Sequence, residues 1–218
     1  MRLSPDTAKR LRESLSKSIA RIDEILSRRE DERDKMIKLS RDVIRLSGQV
    51  INAIHTGDEG EAARLLKRLD EAKEEFLKHA KQDPYLYHTG IVYSTLAEYV
   101  EAKTLYSLVV EGTPPDPPEE LDVPETAYLQ GLGDVVGELR RLALDALRLG
   151  RVEEAEHLLA MMEAIYMELR GLEYPDALIP GLRRKVDVAR RLIDDTKALI
   201  VEVKGRNELA RLLQGLSK

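Results

Sequence analysis

Apolar residues recur along this chain at helical spacing over long stretches, and the stretches are separated by Gly and Pro. No segment shows the alternation of a strand, and there is no short repeat. Ser4-Pro5-Asp6 predicts the first helix start, a Ser cap with Pro at the first helical position. No Gly or Pro follows until Gly48, so the helix runs to about Ile54, unless it kinks in the charge-dense Arg28–Lys38 segment. Such a charge run reads as a solvated face. Thr56-Gly57-Asp58-Glu59-Gly60 is a turn, and a second helix spans about Glu59 to Lys81 before Asp83-Pro84 breaks it. A third runs from near Pro84 to Glu111-Gly112, and the following Thr113–Pro118 segment, rich in Pro, is a surface loop that cannot be helical. A fourth helix spans about Pro124 to Gly150, a fifth about Val152 to Arg170, and a sixth about Gly181 to Lys204, with a tail helix at Asn207–Leu216. The connections are mostly brief, which predicts one all-α domain over residues 1–218, an antiparallel bundle of about seven helices.

Composition adds limits to this picture. With 1 Phe, 0 Trp and 8 Tyr, the core must be built mostly of Leu, Ile, Val and Ala. The absence of Cys excludes disulfides, thiolate zinc sites and cysteine nucleophiles together, and it suits a reducing cytoplasm. The N-terminus is charged from Arg2 onward, and no uncharged run reaches about 18 residues. The expectation is a soluble, cytoplasmic protein with no membrane partner. The formal net charge of -5 argues against global attraction to nucleic acid and leaves a local basic surface as the route to it.

The third predicted helix carries the first chemical puzzle. Between Ile91 and Val110 only Glu98, Glu101 and Lys103 are charged. Residues three apart share a helix side, so the two carboxylates point the same way. Ile91, Thr95, Ala102, Leu105, Leu108 and Val109 lie within roughly 80° of that direction. Carboxylates in an apolar stripe need hydrogen bonds, a counter-charge or a metal.

A second acidic pair, Asp134 and Glu138, sits four apart on the fourth helix. Its apolar side, Tyr128, Leu132, Val135, Val136, Leu139 and Ala143, is centred roughly 140° from Asp134, which leaves the pair on a polar stripe with Arg141 and Asp145. Read alone, that is a salt-bridged surface. Gly131, Gly133 and Gly137 each cost about 1 kcal/mol against Ala inside a helix, which asks for a return such as close helix approach. If the third and fourth helices meet there, four carboxylates converge and need cations between them. All-oxygen ligation favours Mg2+ or Mn2+, which can activate water against a phosphodiester.

Other constellations are weaker. Glu154 and His157 have the Glu-x-x-His spacing of di-iron bundles, but the motif occurs once, since Phe76, Tyr85 and Asn52 stand three before His79, His88 and His55. His157 therefore reads as a surface or packing residue. Pro84-Tyr85-Leu86-Tyr87-His88 reads as an aromatic helix start packed on a neighbour, or as stacking rings and a donor for RNA. Arg183, Asp187, Arg190, Asp194 and Lys197 have the spacing of an intrahelical salt-bridge ladder.

Several of these stretches resemble the translin family, and within it the translin-associated factor X branch, over nearly the whole chain in matching order. Lys38-Leu39-Ser40-Arg41-Asp42 is similar to that branch's first-helix signature, and Glu98-Tyr99-Val100-Glu101-Ala102 matches its acidic motif. Tyr128-Leu129-Gln130-Gly131-Leu132-Gly133-Asp134, running into Gly137-Glu138-Leu139, resembles its second motif. Leu182-Arg183-Arg184-Lys185 and Lys204-Gly205-Arg206 look more like translin itself. The resemblance implies a bundle of about seven helices and a metal-dependent endoribonuclease working inside a hollow homo-oligomer, an octamer-like shell. By motif position it implies Glu98, Glu101, Asp134 and Glu138 as both catalytic residues and ligands of Mg2+ or Mn2+. It also implies RNA contact at His88, with Tyr87 beside it. The Pro114–Pro118 loop departs from the animal branch in being shorter, which bears on subunit contacts and leaves the acids untouched. The rival readings are a non-catalytic nucleic-acid-binding oligomer, a ferritin-like metal-binding bundle and a purely structural scaffold.

Overall fold

The structure, a computed structural model, describes residues 5–216. It is all-helical, with seven α-helices and no strand among the described residues. The order is α1 (Pro5–Thr56), α2 (Glu59–Ala80), the single turn α3 (Pro84–Tyr87), α4 (Gly90–Tyr106) with a π-helical continuation (Ser107–Glu111), α5 (Glu125–Arg148), α6 (Val152–Leu169) and α7 (Leu182–Leu216). Ser4, expected to cap the first helix, lies outside the described residues.

The helix count matches the expectation, but the divisions differ in two places. The third predicted helix is interrupted. Asp83 caps α3 by accepting the Tyr85 N–H at 2.8 Å. The chain then leaves the helix at His88 and extended Thr89, and restarts at Gly90. Gly112, with φ 67°, ends the π-helical turn in the left-handed region that glycine tolerates. The sixth and tail helices are instead continuous through Gly205 as α7. One glycine costs only about 1 kcal/mol in a helix, and no Pro follows it. The possible kink in α1 is resolved as unbroken helix through Arg28–Lys38.

Two packed groups meet at α4. It lies against α1 and α2 on one side and α5 on the other, while α5 in turn carries α6 and α7. Burial on α4 therefore runs almost all the way round, including Leu96, Tyr99, Val100, Glu101, Thr104 and Leu105. The one Phe, Phe76, is fully buried in a core otherwise made of aliphatic residues and a few Met and Tyr. Only the C-terminal half of α1 joins this core, from Met36 onward; Leu11, Leu15, Ile19, Ile22 and Leu26 are exposed on the half that projects. Among the described residues, no helix is long and apolar enough to cross a membrane.

The three glycines of α5 serve different ends. A Cβ on Gly131 would stand 2.7 Å from the Ala97 carbonyl oxygen and from Val100 Cβ, so the close approach of α4 and α5 depends on its absence. On Gly133 it would meet Lys185 of α7 at 3.1 Å, whereas Gly137 faces open space. The expected close approach is thus made by Gly131, at the level of the acidic residues.

Candidate functional site

Close packing at Gly131 brings the two acidic pairs under each other's influence. Glu101 is 9% exposed, and Glu98, one turn earlier on α4, is half-buried. Neither carboxylate makes a hydrogen bond or ion pair with another described residue. Burial pushes the Glu101 carboxyl up to about 8, reinforced by the negative charges of Asp134, Glu98 and Glu138 and opposed by Lys185. Glu98 is also raised, first by burial and then by Asp134, again with Lys185 opposing. The four acids therefore form one electrostatic unit.

The α5 acids differ from the α4 acids in having partners. Glu138 Oε2 lies 2.5 Å from His55 Nε2, at the end of α1, and 3.8 Å from Arg141 Nη1. The His55 hydrogen bond is the main reason that the Glu138 carboxyl is held below its usual range. The His55 side chain is only 4% exposed, and its other ring nitrogen, Nδ1, has no partner. Against an ionised Glu138 carboxylate, which can only accept, Nε2 is the donor of this hydrogen bond. Asp134 pairs with Lys185 Nζ from α7. The polar stripe read along α5 is real for Glu138 and Arg141; Asp134 instead reaches across to another helix.

The donor chemistry fits a hard divalent ion: eight carboxylate oxygens from two helices, two of the four acids unpaired, and Glu101 buried without a counter-charge of its own. As placed, no three His, Asp or Glu side chains among the described residues form a ready-made cage. Lys185 and His55 hold Asp134 and Glu138 in other contacts. Assembly of a cage requires side-chain movement, which Lys185 in particular must permit.

The remaining candidates lie apart from this unit. His88 is 3.2 Å from the Tyr93 hydroxyl through Nδ1 and meets the half-buried Tyr87 edge-on, with ring centroids 5.2 Å apart. Neither has a hydrogen bond or ion pair with the four acids. His157 is exposed, as expected of a surface residue. The ladder expected along α7 is not made, since no ion pair joins those five described residues; Lys197 pairs with Glu163 of α6 instead. Exposed pairs within one helix are worth only about 0.3–0.5 kcal/mol, so a partner on a neighbouring helix competes readily.

Two residues escaped the sequence reading, His55 and Lys185. His55 precedes Glu138 by 83 residues and Lys185 follows Asp134 by 51, so no local spacing could pair them. The one available signal was the Arg183-Arg184-Lys185 run, which marks a cationic helix start without saying which residue turns inward.

Comparison with known proteins agrees with this architecture. The chain is 30% identical over 197 residues to the MJ0175 protein of Methanocaldococcus jannaschii, covering 88% of this chain and 87% of that one. Its fold is similar to AfC3PO in a complex with duplex RNA, with a TM-score of 0.77 and 33% identity, covering 91% of this chain and 98% of the other. It is also similar to apo-NeC3PO, with a TM-score of 0.73 and 26% identity over 93% of this chain and 100% of the other. The Translin family model matches residues 31–196, a span that holds all four acids together with His55 and Lys185. By sequence and by fold, the chain belongs to the translin family.

Proposed function

We propose that this protein is a metal-dependent endoribonuclease of the translin-associated factor X type, cutting RNA phosphodiesters inside a cytoplasmic homo-oligomer. The observation that carries the reading is Glu101, a carboxylate 9% exposed, without a hydrogen bond or ion pair and pressed by three further acids. Proteins retain such a group where function needs it, because burial alone costs several kcal/mol. Glu98, Glu101, Asp134 and Glu138 would hold Mg2+ or Mn2+. Bound there, the ion would supply Lewis acidity toward the phosphodiester and lower the pKa of an attacking water.

The chain's own groups divide the remaining work. Glu98 and Glu101 are uncommitted acceptors on α4, and His55 fixes Glu138 by donating from Nε2. Near neutral pH the Glu101 carboxyl retains its proton in the ion-free protein, so ion uptake releases that proton and strengthens as pH rises through about 8. Support for RNA as the substrate comes from AfC3PO, which has been seen with duplex RNA. His88 and Tyr87, at the α3–α4 break, would offer a donor and a ring to it. Support for a homo-oligomeric shell comes from the exposed Leu11, Leu15, Ile19, Ile22 and Leu26 of α1, and Val201, Leu209 and Leu212 of α7, which one chain leaves uncovered.

A non-catalytic RNA-binding oligomer is the second reading, favoured by the protein's own side chains engaging Asp134 and Glu138, Lys185 on the first and His55 on the second. Incubation of the purified protein with end-labelled RNA separates the two. The expected result is fragmentation with Mg2+ or Mn2+ and none with chelator. Binding without fragmentation under every ion condition would favour the second reading.

A further inference from the structure

Lys185 enters the acidic unit from α7, a helix that contributes none of the four acids. Its position is built in. The start of α7 is docked on α5 by Gln130 Nε2 donating to the Pro180 carbonyl at 2.8 Å and Thr126 Oγ1 donating to the Leu178 carbonyl at 3.3 Å. The turn into the helix is closed by Gly181, at φ 74°, whose N–H donates to Asp176 at 2.9 Å. Four residues later the Lys185 stem lies over Gly133, where a Cβ would come within 3.1 Å of its Cβ and Cδ. That groove aims the ammonium at Asp134, the acid next to Gly133.

The same ammonium opposes the raised carboxyl pKa of both Glu98 and Glu101. It serves as a monovalent counter-charge to three of the four acids. The pair is also partly open to solvent, Lys185 at 27% and Asp134 at 36% side-chain exposure. A lysine so placed can leave without crossing packed core, and its flexible four-carbon stem allows the movement.

We propose that Lys185 is a tethered counter-ion of the acidic centre, displaced when a divalent cation engages Asp134 and then free to bind a phosphate of the RNA backbone. This rests on the metal-dependent ribonuclease reading above. Both cations compete for the Asp134 carboxylate, and a divalent charge beside the ammonium repels it. Without an ion, Lys185 offsets part of the repulsion among the acids. With an ion, the ammonium is a mobile point charge beside the site, the form in which lysine binds phosphate.

The test begins with Mn2+ binding to the full chain in the absence of RNA, measured by calorimetry for wild type, Lys185→Met and Lys185→Arg. Met keeps the stem and removes the charge. The expected result is about tenfold tighter Mn2+ binding by Lys185→Met, with Lys185→Arg close to wild type. The KM for RNA cleavage should rise severalfold in Lys185→Met without a matching fall in kcat. Unchanged or weaker Mn2+ binding by Lys185→Met would overturn the proposal, as would an unchanged KM. No Mn2+ binding by the wild type would instead overturn the ribonuclease reading beneath it. The unmodified protein supplies a second readout that needs no variant, the rate of acetylation of Lys185 followed by mass spectrometry. Addition of Mg2+ should raise that rate severalfold, and a rate indifferent to Mg2+ would contradict displacement.

Discussion

Replacing Glu101 by Ala, alone or together with Glu98→Ala, is expected to lower RNA cleavage on the order of 100-fold or more while RNA binding and folding persist. The separation of effects follows from the contacts. Neither carboxylate makes a hydrogen bond or ion pair with a described residue, so its removal strands no partner. Glu101→Ala removes a quarter of the oxygen set, its most buried member, and the double variant removes half. Cleavage of labelled RNA in Mn2+ measures the first effect. Helical circular dichroism and a gel-shift assay measure what remains. Undiminished cleavage by the double variant would remove these acids from the mechanism.

The metal-free protein should lose stability as pH rises from about 5 to about 8, and Glu101→Gln should flatten much of that slope. The Glu101 carboxyl has a folded value of about 8 against an ordinary value of 4.5. Between those values the folded chain binds the proton and the unfolded chain does not, so raising the pH disfavours the fold. Below the lower value the penalty is absent. Above the upper one it is complete, on the order of 5 kcal/mol as an upper bound. Glu138 acts in the opposite direction and in a different range. Its folded value is depressed by His55, so the stability it contributes is lost on acidification below the ordinary carboxylate range. Thermal melting with chelator present, from pH 5 to 9, isolates the Glu101 contribution. Identical profiles for wild type and Glu101→Gln would contradict it, and Mn2+ should restore stability chiefly to the wild type at the alkaline end.

The legible parts of this chain were those governed by nearby residues. The Asp83-Pro84 break, the non-helical Pro114–Pro118 segment and the helix end at Gly150 follow from local backbone chemistry, and the structure has them there. The break at Thr89 is not legible in the sequence because Gly90 opens an apolar stretch that reads as uninterrupted helix. Gly205 misleads for the converse reason, since a lone glycine is a weak terminator inside a long helix. Spacing placed Glu98 with Glu101 and Asp134 with Glu138 on shared faces, and family motifs joined the pairs. Spacing could not say that Gly131 would bring those helices together, or that burial would fall more heavily on Glu101 than on Glu98. Still less could it show His55 and Lys185 taking up the α5 acids, because those contacts depend on how distant helices pack.

That packing produces a centre with two unpaired acids and two acids engaged by other side chains of the chain itself, Asp134 by Lys185 and Glu138 by His55. A divalent ion must take over at least one of those held acids for the centre to work as proposed. Anomalous diffraction from crystals grown with Mn2+ tests this most directly. The expected result is an anomalous peak between α4 and α5, with oxygens from Glu101 and at least two of Glu98, Asp134 and Glu138 at about 2.0–2.6 Å and Lys185 Nζ withdrawn from Asp134. A fully loaded crystal with Mn2+ elsewhere, and Lys185 still paired with Asp134, would contradict it.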